Sequence, residues 1–384
     1  MEALLIAIKA RILELAPEFL QFPLGHLLSI TPVISVFAGI FALTTWIERK
    51  GLGRIQNRLG PNRVGPVGIL QPVADGLKMI FKEDVVPRSA DKIVHFLAPI
   101  LLVIPTMLAF SVIPYGNRLV PIDLDAGILF FFAIGGSAEL IVFMAGWSSR
   151  NKYAMLGAMR AIAQMISYEV PLILSSIVVI MMAGSLSLVD IVAVQTGGFW
   201  NWHVATPWGF VGFLLFLTAA LAESNRSPFD IPEAESEIIA GHMTEYSGFK
   251  YALFFLAEYL GLFAMTGLAI TLFLGGFHAP FPFLNWVPAP LWFFGKFAIL
   301  VALFIWIRGT LPRLRMDQLM GLAWKFMIPM SLITFAAGAT WHYAGKGLLA
   351  WILCTPMLLG SYVYLGTALT KGQKVSKRVY RFAD

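Results

Sequence analysis

Residues 157–183 read GAMRAIAQMISYEVPLILSSIVVIMMA, with Arg160 near one end and Glu169 near the middle as the only charges. The stretch is longer than the roughly 20 residues that cross the hydrocarbon of a bilayer. It reads as a transmembrane helix that carries a carboxylate inside lipid. The rest of the chain agrees: 58% of its 384 residues are hydrophobic and 13% are charged. A soluble domain carries roughly twice that charged fraction. So much apolar surface calls for lipid as its solvent, and the fold class is an all-α, polytopic transmembrane bundle.

Outward from 157–183, comparable apolar stretches lie at 27–47, 94–114, 126–147, 207–222, 249–274, 289–307, 324–343 and 348–369, which makes nine expected spans in a single integral membrane domain. The loops 48–93, 148–160, 223–250 and 308–325 and the tail 371–384 hold 23 of the 28 Lys and Arg residues. Positive loops stay in the cytoplasm, so these loops and the C-terminus are expected there and the N-terminus outside. That placement accounts for the net charge of +6 without a nucleic-acid partner. Residues 1–20 start with an acid and carry charges at Lys9, Arg11 and Glu14. They suit an interfacial amphipathic helix better than a signal peptide.

The single cysteine, Cys354, excludes a disulfide framework and a cysteine-ligated iron–sulfur cluster. The six histidines show no haem or zinc spacing. Any redox centre must therefore sit in a partner or be a diffusible ligand.

Two loops stand out. Residues 51–68 hold five glycines and two prolines together with Arg54, Arg58 and Arg63. This disfavours helix and strand and suits a tight basic loop of fixed shape. Lipid headgroups alone would explain the arginines, but not the Gly and Pro. Leu70, Val73, Leu77 and Ile80 then fall at helical spacing, predicting a short amphipathic helix from Leu70 to Lys82. The loop 223–248 is the opposite: Glu223, Asp230, Glu233, Glu235, Glu237 and Glu245 stand against the positive-inside bias. Favourable first-turn acids after Pro232 account for part of that charge, though not for six residues.

ERKGLGRIQNRLGPNRVGP from Glu48 and GILQPVADGLKMIFKED from Gly68 resemble the signature of the H-type membrane subunits of respiratory complex I, the NADH:quinone oxidoreductase. AGWSSRNKY at 145–153, RAIAQMISYEVP at 160–171, AESNRSPFDIPEAESEIIAGHMTEYSG at 222–248 and WIRGTLPRLRMDQLM at 306–320 match the same family in the same order. The likeness covers roughly residues 25–345 and includes the counterpart called subunit 1 in mitochondria. It implies a quinone substrate, ubiquinone-like, with the iron–sulfur clusters and FMN held by peripheral partner subunits. It also implies small membrane subunits alongside and a bacterial inner membrane, since the ninth span, 348–369, adds to the usual eight.

The resemblance further implies roles for single residues. Glu48, Arg49, Arg58, Asp75 and Phe255 would stand near the quinone tunnel. Asp230, Glu233, Glu235 and Glu237 would form an acidic entrance. Glu223, Glu258 and Glu169 would continue a charge path into the bilayer, with Arg160 as a tuning cation. Trp46, Phe81 and Phe255 suit a slot for an isoprenoid tail, although aromatics here are more often packing or belt residues.

From the residues themselves, Glu139, Glu169, Glu258 and Lys296 are ionisable groups inside apolar spans, which are costly and usually functional. The plain alternative for each acid is a structural ion pair with Lys296 or Arg160. Glu139 falls outside the family pattern, and either an extended path or a local pair fits it. Three other functions stay open: the equivalent subunit of an energy-converting hydrogenase or ferredoxin-linked complex, a free-standing ion transporter, and a structural anchor.

Overall fold

The computed structural model describes residues 11, 14, 17–117, 119–232, 239–345 and 347–371. Among these, every regular element is helical. The interfacial helix expected over 1–20 and the tail 372–384 fall almost wholly outside the described residues, as does 233–238 of the acidic loop.

The chain begins with α1 (Glu18–Ile55), followed by the short α2 (Gln71–Phe81). Three long helices come next: α3 (Lys92–Ala109), α4 (Gly127–Ser148) and α5 (Lys152–Ala183). The short α6 (Leu188–Val194) leads to α7 (Pro207–Glu223) and α8 (Gly248–Phe273). After α9 (Ala289–Thr310), α10 (Met316–Leu322) runs through a π-turn, Ala323–Met327, into α11 (Ile328–Ala344). The last helix is α12 (Leu348–Lys371). Local chemistry sets several of these starts. Asn151 accepts from the Tyr153 amide and Thr206 from the Gly209 amide, each satisfying an otherwise unpaired donor.

Among the described residues, seven helices are long and apolar enough to cross a membrane: α3, α4, α5, α8, α9, the α10–α11 unit and α12. The other two expected spans are also helical. Residues 27–47 lie within the 38-residue α1, and α7 is apolar but 17 residues long. In the basic loop, α2 forms within one residue of the expected bounds. Its four apolar positions, Leu70, Val73, Leu77 and Ile80, all lie exposed. The acidic loop, where the acids after Pro232 suit the start of a short surface helix, shows a single 3-10 turn, Gly241–Met243, among its described residues.

One expectation is overturned. Residues 51–55 belong to α1 although glycines there predict a loop. The reason is close approach: a β-carbon at Gly53 would lie 3.0 Å from the Gly60 amide nitrogen. These glycines let the returning loop fold against the helix end.

Small residues similarly bring the spans together. A β-carbon at Gly146 of α4 would sit 2.4 Å from that of Ala158 on α5. The most enclosed span is α8, which packs against α3, α7 and α9. An aromatic cluster ties α1 to it: Phe37 stacks on Phe110 at 3.9 Å and meets Phe263 and Phe297.

Away from the basic loops, two polar side chains fasten the connection between α8 and α9. Gln195 donates to the carbonyls of Ile191, Thr271 and Leu272 and accepts from the Gly275 amide. Lys296, only 9% exposed, donates to the carbonyls of Leu274, Gly276 and His278 at 2.7–2.8 Å and lies over the Trp202 ring. Lys296 therefore caps the end of α8 and pairs with none of the intramembrane acids. K296M leaves those three carbonyls without their donor and is expected to cost about 3 kcal/mol of stability. A melting temperature equal to that of the unmodified protein would contradict this role.

Candidate functional site

Glu48 lies two turns from the end of α1, in a position where an apolar neighbour would be the ordinary choice. It is 4% exposed, and three groups compensate its burial. Arg226, on the connection after α7, donates through Nη1 to Glu48 Oε1 at 3.1 Å. The Tyr259 hydroxyl donates to Glu48 Oε2 at 2.7 Å, and Arg308 of α9 donates to Glu48 Oε1. The guanidinium of Arg226, itself 6% exposed, lies 3.8 Å from the centre of the Tyr259 ring. Its Nε stands 3.3 Å from Glu258 Oε1, an ion pair without hydrogen-bond alignment. One cation thus serves two buried acids from α1 and α8. Burial opposes the charge on Arg226, but Glu258, Tyr259 and Glu48 outweigh it and hold the guanidinium above its ordinary range.

A second cluster forms from α4, α5 and α7. Glu139 and Glu169 stand close enough to interact electrostatically, and both act on Glu223 at the end of α7. Glu139 Oε1 and Glu223 Oε2 are buried with no partner among the described residues. Glu139 therefore has a place that its sequence context left open, beside two other acids. Counting along the helices, Glu139 and Glu258 lie about 15 Å from the helix ends that carry the charged loops.

Between the two clusters lies a cavity of about 110 Å³. Glu258 and Glu223 both line it, with Asn225, His242 and otherwise mostly apolar side chains from α3, α4 and α8. Gln164 of α5 holds the loop that follows α7 by donating to the carbonyls of Ala222 and Phe229 at 2.8 and 2.7 Å. This bond fixes Arg226 and Glu223 relative to α5.

The remaining sequence-derived residues fall around these clusters. Asp230 accepts from Arg313 at 2.6 Å, yet burial still pushes its carboxyl above the usual range. Arg49 pairs with Asp75 of α2 on the exposed side of α1, and Gln71 also donates to Asp75. Arg58 is exposed and donates to Gln56, apart from that pair. Phe255 packs between Tyr251 and Tyr259, one turn from the Glu48 network. Trp46 donates to the Val67 carbonyl, while Phe81 is 85% exposed. Arg160 lies half-buried on α5. Glu233, Glu235 and Glu237 lie outside the described residues. Among the described residues, no group of three His, Cys, Asp or Glu side chains could hold a metal ion.

Arg226, Arg308 and Tyr259 were not singled out by sequence. Arg226 had one available signal, as a lone cation among the first acids of the loop 223–248.

The family model for NADH dehydrogenase matches residues 28–339. A Geobacillus kaustophilus protein, named as the H subunit of NADH-quinone oxidoreductase, is 48% identical, over 83% of this chain and 93% of its own length. A Koribacter versatilis protein, named as a second H subunit of the same enzyme, is 44% identical, over 81% of this chain and 95% of its own. A third, the H subunit from Dehalococcoides mccartyi, is 47% identical over 80% and 84%.

Removing the shared cation should be costly in a way its partners reveal. R226Q is expected to lose about 3–5 kcal/mol of stability by leaving Glu48 and Glu258 short of charge. Adding E258Q to R226Q should restore part of that loss, a coupling that melting temperatures of the single and double variants measure directly.

Proposed function

This chain belongs to the NADH dehydrogenase family, and we propose that, as a membrane subunit of NADH-quinone oxidoreductase, it forms the membrane end of the quinone tunnel and the first part of a proton path. The observation that carries this reading is the pair of buried acid clusters joined by one cavity, with Glu258 and Glu223 lining it from either side.

In this reading nine helices span a bacterial inner membrane as one domain, with α1 and α7 completing the seven long apolar helices. The basic and acidic loops face the cytoplasm and meet peripheral subunits that carry the FMN and iron–sulfur clusters. Small membrane subunits flank the bundle, and lipid covers the rest. The exposed apolar face of α2 suits such a subunit interface or the membrane surface.

The quinone enters with its headgroup towards Glu48, Arg49, Arg58, Asp75 and Phe255. Its reduction to the quinol takes two electrons, from a cluster in a partner, and two protons. Loss or gain of a proton near the tunnel alters the field at Arg226, because Glu48 and Glu258 compete for that one guanidinium. When Glu48 holds Arg226 more strongly, Glu258 loses its counter-charge and favours the protonated form; the converse releases the proton. From Glu258 the path crosses the cavity to Glu223 and then to Glu169 and Glu139. Asp230, Glu233, Glu235 and Glu237 would form the acidic entrance at the loop, and Arg160 would tune the path of Glu223, Glu258 and Glu169 beyond it. Glu139 joins the path because it stands beside Glu169.

E258Q and E139Q keep side-chain shape but remove the titrating proton. In assembled complex, each should lower proton translocation at least about tenfold, the scale of a lost proton-transfer group. Electron entry into the peripheral subunits, read with an artificial acceptor, should be unaffected. Full pumping in both variants would rule out the path.

A further inference from the structure

His242 sits in the 3-10 turn Gly241–Met243 and is 5% exposed. It lines the same cavity as Glu258 and Glu223, and its Nδ1 is buried without a partner among the described residues. Its ring meets Phe254 edge-on at 5.6 Å, so one face is packed while a polar atom is left unpaired. Such an atom costs free energy unless something accepts from it or donates to it.

The backbone around the ring is held rigidly. A β-carbon at Gly157 of α5 would approach Gly241 Cα to 2.4 Å and the His242 amide nitrogen to 2.9 Å. On the other side, a β-carbon at Gly241, where φ is +54°, would lie 1.9 Å from the Pro232 carbonyl oxygen. Two glycines therefore bring α5 and the loop into direct backbone contact and fix where the imidazole stands. Among the described residues, the ionisable groups lining the cavity are His242, Glu223 at the end of α7 and Glu258 on α8; α3 and α4 contribute none.

A cavity of about 110 Å³ has room for about three waters at roughly 30 Å³ each. Cavities with apolar walls stay dry unless polar groups offer each water two to four partners. Here the walls are mostly apolar, and the carboxyls of Glu258 and Glu223 belong to different clusters. We propose that His242 is a positioning residue whose imidazole anchors a short water chain across the cavity between Glu258 and Glu223. The inference rests on those two carboxyls being members of the proton path. A neutral imidazole suits the task, since it accepts from one water without adding a fixed charge between the acids. Burial keeps His242 in that form by lowering its pKa to about 4.

The test uses the assembled complex in native membranes with H242L, which fills similar volume without polar atoms, and H242Q, which restores hydrogen bonding. H242L should slow quinone-linked turnover and proton translocation about fivefold and raise the solvent deuterium isotope effect, whereas H242Q should stay within about twofold of the unmodified protein. Should H242L fail to assemble, H242F replaces it, because the ring already packs edge-on against Phe254. An apolar variant with normal rate and isotope effect would overturn the proposal. So would an H242Q as slow as H242L, which marks a packing role. E258Q and E223Q separate the two levels: if both pump normally, the proton path itself fails. If they stop pumping while H242L does not, only the role of His242 falls.

Discussion

Arg226 is one guanidinium shared by two buried carboxylates, and the arrangement of the charged end of the molecule follows from that sharing. Glu48 comes from α1 and Glu258 from α8, helices far apart in the chain that neither acid alone could bring together. A buried carboxylate without a counter-charge is strongly destabilising. The fold meets that demand by returning the loop after α7 between the two helices and by adding Arg308 and the Tyr259 hydroxyl around Glu48. Gln164 then fixes the loop to α5, so the position of Arg226 is tied to the second acid cluster as well. On the proposed function, stability and charge transfer would thereby depend on the same residue. A cation with two claimants is also the simplest bistable element, since strengthening one pair weakens the other.

The opposite end of the bundle is built on a different logic. Lys296 and Gln195 are satisfied by backbone groups, with no carboxylate among their hydrogen-bond partners. Every donor of the lysine ammonium has an acceptor, which leaves it nothing to exchange. The aromatic cluster around Phe37 lies between that fixed end and the charged one, buried and closely packed. Around the cavity and the second acid cluster, Glu139 Oε1, Glu223 Oε2 and His242 Nδ1 are buried without partners among the described residues.

The helices were legible in the sequence because lipid demands long apolar runs, and all nine expected stretches proved helical. The acids were legible for the same reason, since a carboxylate in such a run stands out. Their partners were not. Arg226 and Arg308 lie at span ends, where positive loops expect cations, and Tyr259 reads as one more packed aromatic. The meeting of Glu139 with Glu169 depends on the register of α4 against α5, which no local pattern encodes. Backbone carbonyls leave no mark in a sequence, so the cap around Lys296 could not be anticipated. The glycines of 51–55 misled for a related reason: they permit close approach of Gly60, a tertiary requirement, and the helix runs on through them.

On the proposed function, the buried carboxyls change protonation when quinone is reduced near the Glu48 end of the Arg226 network. Infrared difference spectroscopy on the assembled complex, comparing oxidised and quinol-reduced states with glutamate carrying carbon-13 in its carboxyl group, reads this directly. The account predicts a protonated-carboxyl band that appears or disappears with quinone reduction, shifts with the label and is lost in E258Q. A difference spectrum without labelled carboxyl bands, from a complex that still pumps protons, would contradict it.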